Sequence, residues 1–181
     1  MIKLDAATVL LQWATGGLFF LWFTTRSHGI GRGYGWLIRG TYAAIAVGAV
    51  ASAYAIGWVP VRDVSAGIVA VVSLGTLRRT DVRWDLVAPL VGLVGVIVGA
   101  LDAASGTADS VVSLLRVLVG TVFLGAVSDA MLLGHWYLVQ PGLPRGILNE
   151  LVVAVRWVLP VEIVVMLLPT GMFSEIGRAH V

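Results

Sequence analysis

Two opposite charges interrupt the long apolar runs in the C-terminal half of the chain. Asp129 lies in the first run and Arg156 in the second, and Gln140-Pro-Gly-Leu-Pro144 separates them. If the chain folds back between Gly142 and Leu143, both charges lie about 13 residues from the turn, at equal depth in an apolar layer. An unpaired charge at that depth costs about 3 kcal/mol or more, and pairing lowers this cost. We therefore predict an intramembrane ion pair between Asp129 and Arg156.

A histidine and two aromatic residues form the densest group of chemically capable side chains. His135, Trp136 and Tyr137 suit a quinone ring, a lipid headgroup or one axial haem position, although an interfacial aromatic belt that includes the histidine is the favoured explanation. Glu150 has the depth of His135 across the hairpin, in the first turn of a helix, where the helix dipole favours an anion. Haem b usually needs histidines from two helices, and His28 lies in a loop, so quinone is favoured over haem as cofactor.

Three further charges lie toward the other ends of these helices. Glu162 follows Pro160, which removes a backbone hydrogen bond, and a carboxyl beside a broken membrane helix is typical of proton or cation handling. Asp102 and Arg116 flank a turn and are predicted to pair, while pairing of Glu162 with Arg116 would make Glu162 structural. No zinc spacing, Ser-His-Asp set or phosphate-binding Walker loop occurs, so we predict neither catalytic residues nor a metal site.

The composition determines which elements must position these residues. The chain has 181 residues, 59% of them hydrophobic and 12% charged, with no cysteine and a mean hydropathy of +0.95. Soluble domains carry about a quarter charged residues, so a water-soluble domain, a disordered chain and a nucleic-acid-binding protein are excluded. The sequence predicts an all-α, polytopic transmembrane helical bundle that forms a single domain over residues 1–174, with the lipid bilayer as its partner.

Six apolar stretches are long enough to cross a bilayer core of about 30 Å. They cover about 6–25, 40–59, 61–77, 86–104, 110–139 and 147–168. Basic residues concentrate in the loops 26–39, 78–85 and 140–146, which predicts that these loops are cytoplasmic and that the N-terminus is outside. The first of these loops contains Gly29-Ile-Gly-Arg-Gly-Tyr-Gly35, which could hold a phosphate or lie on anionic lipid headgroups.

The end of the chain and its residue usage indicate a source. Residues Glu175–Val181 match the translation of a common short-read sequencing adapter, so we expect the genuine sequence to end near Ser174 and the natural chain to continue. Arginine greatly outnumbers lysine, and Ala, Gly and Val are abundant, which is typical of a GC-rich bacterial genome. We therefore expect a bacterial inner-membrane protein.

Three functions are compatible with these residues. The first, which we favour, is a non-catalytic or quinone-contacting subunit of a membrane complex, for example a respiratory one. The second is a proton-coupled secondary transporter that uses Glu162 and Asp129 as proton relays. The third is a membrane enzyme acting on lipid-linked substrates, which ranks last because the sequence offers no nucleophile or metal ligands.

Overall fold

A computed structural model describes residues 5–26, 30–79 and 81–168. These residues form six α-helices and one 3₁₀ helix, without any strand in the described ranges. Helices α1 to α6 cover Ala6–Thr25, Arg32–Ile56, Pro60–Gly75, Val87–Asp102, Thr107–Val139 and Arg145–Met166, and the 3₁₀ helix covers Val82–Leu86. Each α-helix lies at one of the six predicted stretches, which confirms the all-helical bundle. His28 and the predicted adapter segment Glu175–Val181 lie outside the described residues.

Four of these helical segments are long and apolar enough to cross a membrane. They are α1, α2, the 3₁₀ helix joined to α4, and α5. Helix α3 has only 16 residues, and α6 carries four charged residues, so neither is among the four. Large apolar side chains cover much of the outer surface, for example Val71, Leu90, Met131 and Ile163.

Helix α1 is the central helix of the bundle and packs against α2, α4 and α5. Its backbone closely approaches that of α5, where a Cβ atom on Gly16 would lie 1.9 Å from the carbonyl oxygen of Thr121. A Cβ atom on Gly125 would lie 2.3 Å from the backbone of Gly16. Only glycine therefore permits this backbone contact, which follows the small-residue packing expected between helices in lipid.

The hairpin between α5 and α6 forms where the sequence predicts it. Gly142 has a φ of 107°, a left-handed conformation that glycine adopts without strain. The Tyr137 hydroxyl donates a hydrogen bond of 2.7 Å to the carbonyl oxygen of Pro144, which ties the two ends of the turn together. Helix α6 packs mainly on α5 and buries few of its side chains.

Candidate functional site

Asp129 lies at the centre of the bundle, on the face of α5 that turns toward α1 and α2. Its side chain is fully buried, and Oδ1 accepts a hydrogen bond of 2.7 Å from the Tyr42 hydroxyl of α2. The same hydroxyl lies 2.8 Å from the hydroxyl of Ser128. Asp129 Oδ2 has no hydrogen-bond partner among the described residues. Within the part of the chain that the structure describes, the carboxyl is therefore held by a neutral donor on one oxygen only.

The structure does not form the predicted ion pair between Asp129 and Arg156. The Arg156 side chain is exposed on α6, and within the described ranges no cation lies within ion-pair distance of Asp129. Asp129 is buried and bonded to Tyr42 of α2, whereas Arg156 is exposed on α6, so folding back at the hairpin does not bring the two side chains together. Counting residues from the turn leaves the rotation of each helix open, so equal depth in the sequence does not by itself place two side chains in contact.

A second tyrosine of α2 completes the surroundings of Asp129. The Tyr34 hydroxyl lies close to the Asp129 carboxyl and to Thr24. It is buried, and the part of the chain that the structure describes gives it no hydrogen-bond partner. Hydroxyls can either donate or accept a hydrogen bond, so they can follow a change in the protonation of the carboxyl between them. Such an arrangement is chemically suited to binding and releasing a proton.

Glu162 is a second buried acid that no cation contacts directly within the described ranges. Its side chain is 8% exposed, and Oε2 has no hydrogen-bond partner among the residues described. It lies beside Gly120 of α5, where a Cβ atom would be 3.7 Å from Glu162 Oε1 and 3.1 Å from Gln12 Nε2. The Gln12 amide donates to the carbonyl oxygen of Val117 at 2.8 Å. Gln12 of α1 and Glu162 of α6 thus both lie beside Gly120 of α5.

Arg116 takes a role that the sequence did not predict. Its guanidinium donates to the carbonyl oxygens of Val165, Met166 and Leu168 at 3.3, 2.9 and 2.6 Å, and so caps the C-terminal end of α6. Neither predicted partner is within ion-pair distance of it in the described part of the chain: Asp102 is exposed at the end of α4, and Glu162 lies nearby without a direct contact. The predicted pair of Asp102 and Arg116 is therefore not formed.

The residues predicted to contact a quinone or headgroup do not converge on one point. His135 is exposed, and its Nδ1 lies 2.8 Å from the carbonyl oxygen of Met131 in its own helix. The indole of Trp136 packs against Tyr34 and donates to Gln140 at 3.1 Å. Glu150 pairs with Arg26 at 2.9 Å and so links α6 to the end of α1. Trp136 thus connects α5 to α2, and Glu150 connects α6 to the end of α1.

Two buried charge clusters were missed by the sequence analysis. Arg39 and Asp85 pair with side chains that are 8% and 3% exposed, and Arg39 Nε donates to Asp85 Oδ1 at 3.0 Å. At the opposite end, Arg62 donates to Asp63 at 2.6 Å and also pairs with Asp5. The adjacent charges Arg62 and Asp63 at the start of α3 were the one available signal, since the other partners are distant in sequence.

An arginine-lined cavity of about 620 Å³ opens at the end of the bundle that contains the predicted cytoplasmic loops. It lies between the ends of α1 and α3 and the beginnings of α2 and the 3₁₀ helix. Its charged lining residues are Arg32, Arg39, Arg78, Arg79 and Asp85, and Trp36 forms part of the wall. Because Asp85 is already paired with Arg39, the cavity is strongly electropositive.

No group of acids and histidines that could hold a metal ion occurs in the described ranges. The chemically distinctive features are therefore the two buried acids and the arginine-lined cavity. Comparison with family models, curated proteins and solved structures finds no match to this chain.

Proposed function

We propose that this chain is a multi-pass protein of a bacterial inner membrane, with all six helices in the bilayer and the arginine-rich end in the cytoplasm. The apolar outer surface and the four long apolar segments support a membrane location. The distribution of charge supports the orientation. Arginines gather at one end, and acids predominate at the other, where Asp5, Asp63, Asp102 and Asp109 are found.

Cysteine labelling tests this topology directly, since the chain contains no cysteine. The single variants Arg83→Cys and Asp102→Cys lie at exposed positions near opposite ends of α4. A membrane-impermeant maleimide should label Asp102→Cys in intact cells and Arg83→Cys only after the membrane is opened. The reverse pattern, or equal labelling of both variants in intact cells, would contradict the proposed orientation.

Within this frame we propose proton-coupled transport in which Asp129 and Glu162 bind and release the proton and protons also cross the membrane without a co-transported substrate. The observation that carries the proposal is that both acids are buried, each with one carboxyl oxygen unpartnered and without a cation in contact among the described residues. Ionisable side chains inside a membrane are costly and usually mark ion or proton pathways. The buried polar residues Thr8, Gln12 and Thr15 on one face of α1 offer further hydrogen-bonding groups along the bundle.

The other two hypotheses have less support from the geometry. A quinone-contacting subunit would need free polar groups near His135, whereas the indole of Trp136 and the hydroxyl of Tyr137 are bonded within the hairpin. A membrane enzyme on lipid-linked substrates would need reactive groups beside the arginine-lined cavity. The residues that line the cavity offer cations for binding rather than a nucleophile.

Proton flux in liposomes tests the transport proposal. Purified protein is reconstituted with an internal pH-sensitive dye, and a membrane potential is imposed with potassium and valinomycin. Asp129→Asn and Glu162→Gln remove the titratable group with little change of shape, and Asp102→Asn serves as the control because Asp102 is exposed. We expect the control to conduct protons like the wild type and the other two variants to lose the flux.

Two results would contradict the proposal. One is a wild-type flux no greater than that of empty vesicles. The other is wild-type flux in folded Asp129→Asn and Glu162→Gln proteins, with folding checked by tryptophan fluorescence and a monodisperse elution profile.

A further inference from the structure

We propose that the arginine-lined cavity binds the phosphate group of an anionic ligand, either a phospholipid headgroup or a soluble phosphate compound. The cavity is separate from the two buried acids, so this inference does not depend on proton transport. Arg32, Arg78 and Arg79 border the cavity, and all three side chains are exposed. Within the described ranges no acid pairs with any of them, and Arg79 lies 5.8 Å from the centre of the Trp84 ring, a loose contact that leaves its N–H groups able to bind an anion.

The wall of the cavity contains the buried pair of Arg39 and Asp85. Asp85 Oδ2 also lies 3.4 Å from the hydroxyl of Thr25, so this carboxylate is engaged by the protein. Gly35 makes room for Arg39, since a Cβ atom there would lie 2.8 Å from Arg39 Nη1. The one acid of the lining therefore does not compete for the three exposed arginines.

The N-terminus of α2 adds a second source of positive potential. Gly31 precedes the helix, lines the cavity and, having no side chain, leaves the first turn without a side-chain cap. The first backbone N–H groups of a helix lack intrahelical partners, and with the helix dipole they favour an anion. The N-terminus thus points to the same ligand charge as the arginines.

Phosphate fits this arrangement better than a carboxylate for two reasons. Several guanidinium groups can bind the three or four oxygens of one phosphate at once, each through paired hydrogen bonds. The volume of about 620 Å³ also leaves room for more than the phosphate itself. Trp36 lies on the wall and is 54% exposed, as expected for an aromatic residue at the level of lipid headgroups.

Titration calorimetry on the full chain in a non-ionic detergent tests the proposal with three probes. These are dioctanoyl phosphatidylglycerol, dioctanoyl phosphatidylcholine and inorganic pyrophosphate. The test variant is Arg78→Gln/Arg79→Gln, and the matched control is Arg83→Gln/Arg145→Gln, which removes the same charge from exposed arginines at the same end but outside the cavity.

We expect wild type and control to bind an anionic probe, and the test variant to bind it about 100-fold more weakly, at about tenfold for each lost charge-assisted contact. Binding of phosphatidylglycerol without pyrophosphate would identify a lipid headgroup as the ligand, and binding of pyrophosphate would identify a soluble phosphate compound. The proposal is overturned if neither anion binds, if phosphatidylcholine binds as tightly as phosphatidylglycerol, or if both double variants weaken binding equally.

Discussion

The ion pair of Arg39 and Asp85 should make a large, measurable contribution to stability. Both side chains are almost fully buried, and Arg39 Nε donates to Asp85 Oδ1 at 3.0 Å. Removing one partner of a buried pair leaves the other charge uncompensated, which costs about 3–5 kcal/mol. We therefore expect Arg39→Gln and Asp85→Asn each to lower the free energy of unfolding by about 3 kcal/mol. The double variant leaves no isolated charge, so it should lose about 2 kcal/mol less than the sum of the single variants.

Unfolding in mixed micelles with an increasing fraction of SDS measures these differences. The seven tryptophans of the chain provide the fluorescence signal. The matched control is a second double-mutant cycle with Asp129→Asn and Arg156→Gln, the two charges that the sequence predicts to pair and that do not meet in the structure. Side chains without contact couple weakly, so the coupling energy of this cycle should stay below about 0.5 kcal/mol.

Two outcomes would refute this reasoning. A coupling energy near zero between Arg39 and Asp85 would mean that water, rather than the partner, stabilises each charge. A coupling energy above about 1 kcal/mol between Asp129 and Arg156 would mean that these side chains interact, as the sequence predicts. The two cycles therefore distinguish the pairing in the structure from the pairing expected by depth alone.

Three other substitutions give separate checks on the packing, the buried acid and a helix cap. Gly16→Ala should destabilise the protein by about 3 kcal/mol in the same unfolding assay, because the added methyl group meets backbone, whereas Gly134→Ala, which meets nothing within 4 Å, should cost nothing or stabilise. Tyr42→Phe should cost about 1–3 kcal/mol in thermal or SDS unfolding, since it removes the only hydrogen bond to Asp129 Oδ1 among the described residues, and an unchanged stability would contradict the contact. Asp5→Ala should cost about 1 kcal/mol, because Asp5 caps the first turn of α1. Burial raises the pKa of Asp5, but hydrogen bonds from Thr8 and Arg62 lower it more, to below 3.8. Its contribution should therefore be complete above about pH 4 and be lost as the pH falls through the folded-state pKa, and equal losses in Asp5→Ala at pH 7 and pH 3 would contradict this.

The positions of the helices could be predicted because each long apolar run requires a helix of matching length. The turn between α5 and α6 could also be predicted, since Pro-Gly-Leu-Pro cannot continue a helix. The partners of Asp129 could not be predicted from the sequence. Depth follows from counting residues, but each residue also rotates the helix by about 100°, and packing decides which side of α5 faces α1. Tyr42 and Tyr34 lie on α2, and no spacing in the sequence relates them to Asp129.

The pair of Arg39 and Asp85 was missed for a related reason. The apolar run predicts that the second span begins near residue 40, which leaves Arg39 in a loop exposed to water. In the structure, α2 begins at Arg32, so Arg39 lies two turns inside the helix and faces the 3₁₀ helix. Asp85, which lies 46 residues away in sequence, then offsets the free-energy cost of burying the guanidinium group. Hydropathy predicts where the apolar segment starts, but it does not predict the polar turns of a helix that begins before that segment.

The acids inside the described bundle form two groups, those that contact an arginine and those that do not. Arg39 binds Asp85, and Arg62 binds both Asp63 and Asp5, so each of those carboxylates contacts a cation. The two arginines nearest to the remaining buried acids along the chain are engaged elsewhere or turned away, because Arg116 caps α6 and Arg156 faces outward.

Asp129 and Glu162 are therefore left without a cation in direct contact among the described residues, and a purely structural role would not require an acid at either position. Asparagine has nearly the shape of aspartate, and its carbonyl oxygen could accept the hydrogen bond from Tyr42 equally well. What asparagine cannot do is gain or lose a proton at neutral pH. If Asp129→Asn folds with wild-type stability but loses proton flux, the acid is needed for its proton, and if it keeps the flux, Asp129 is only a packing residue.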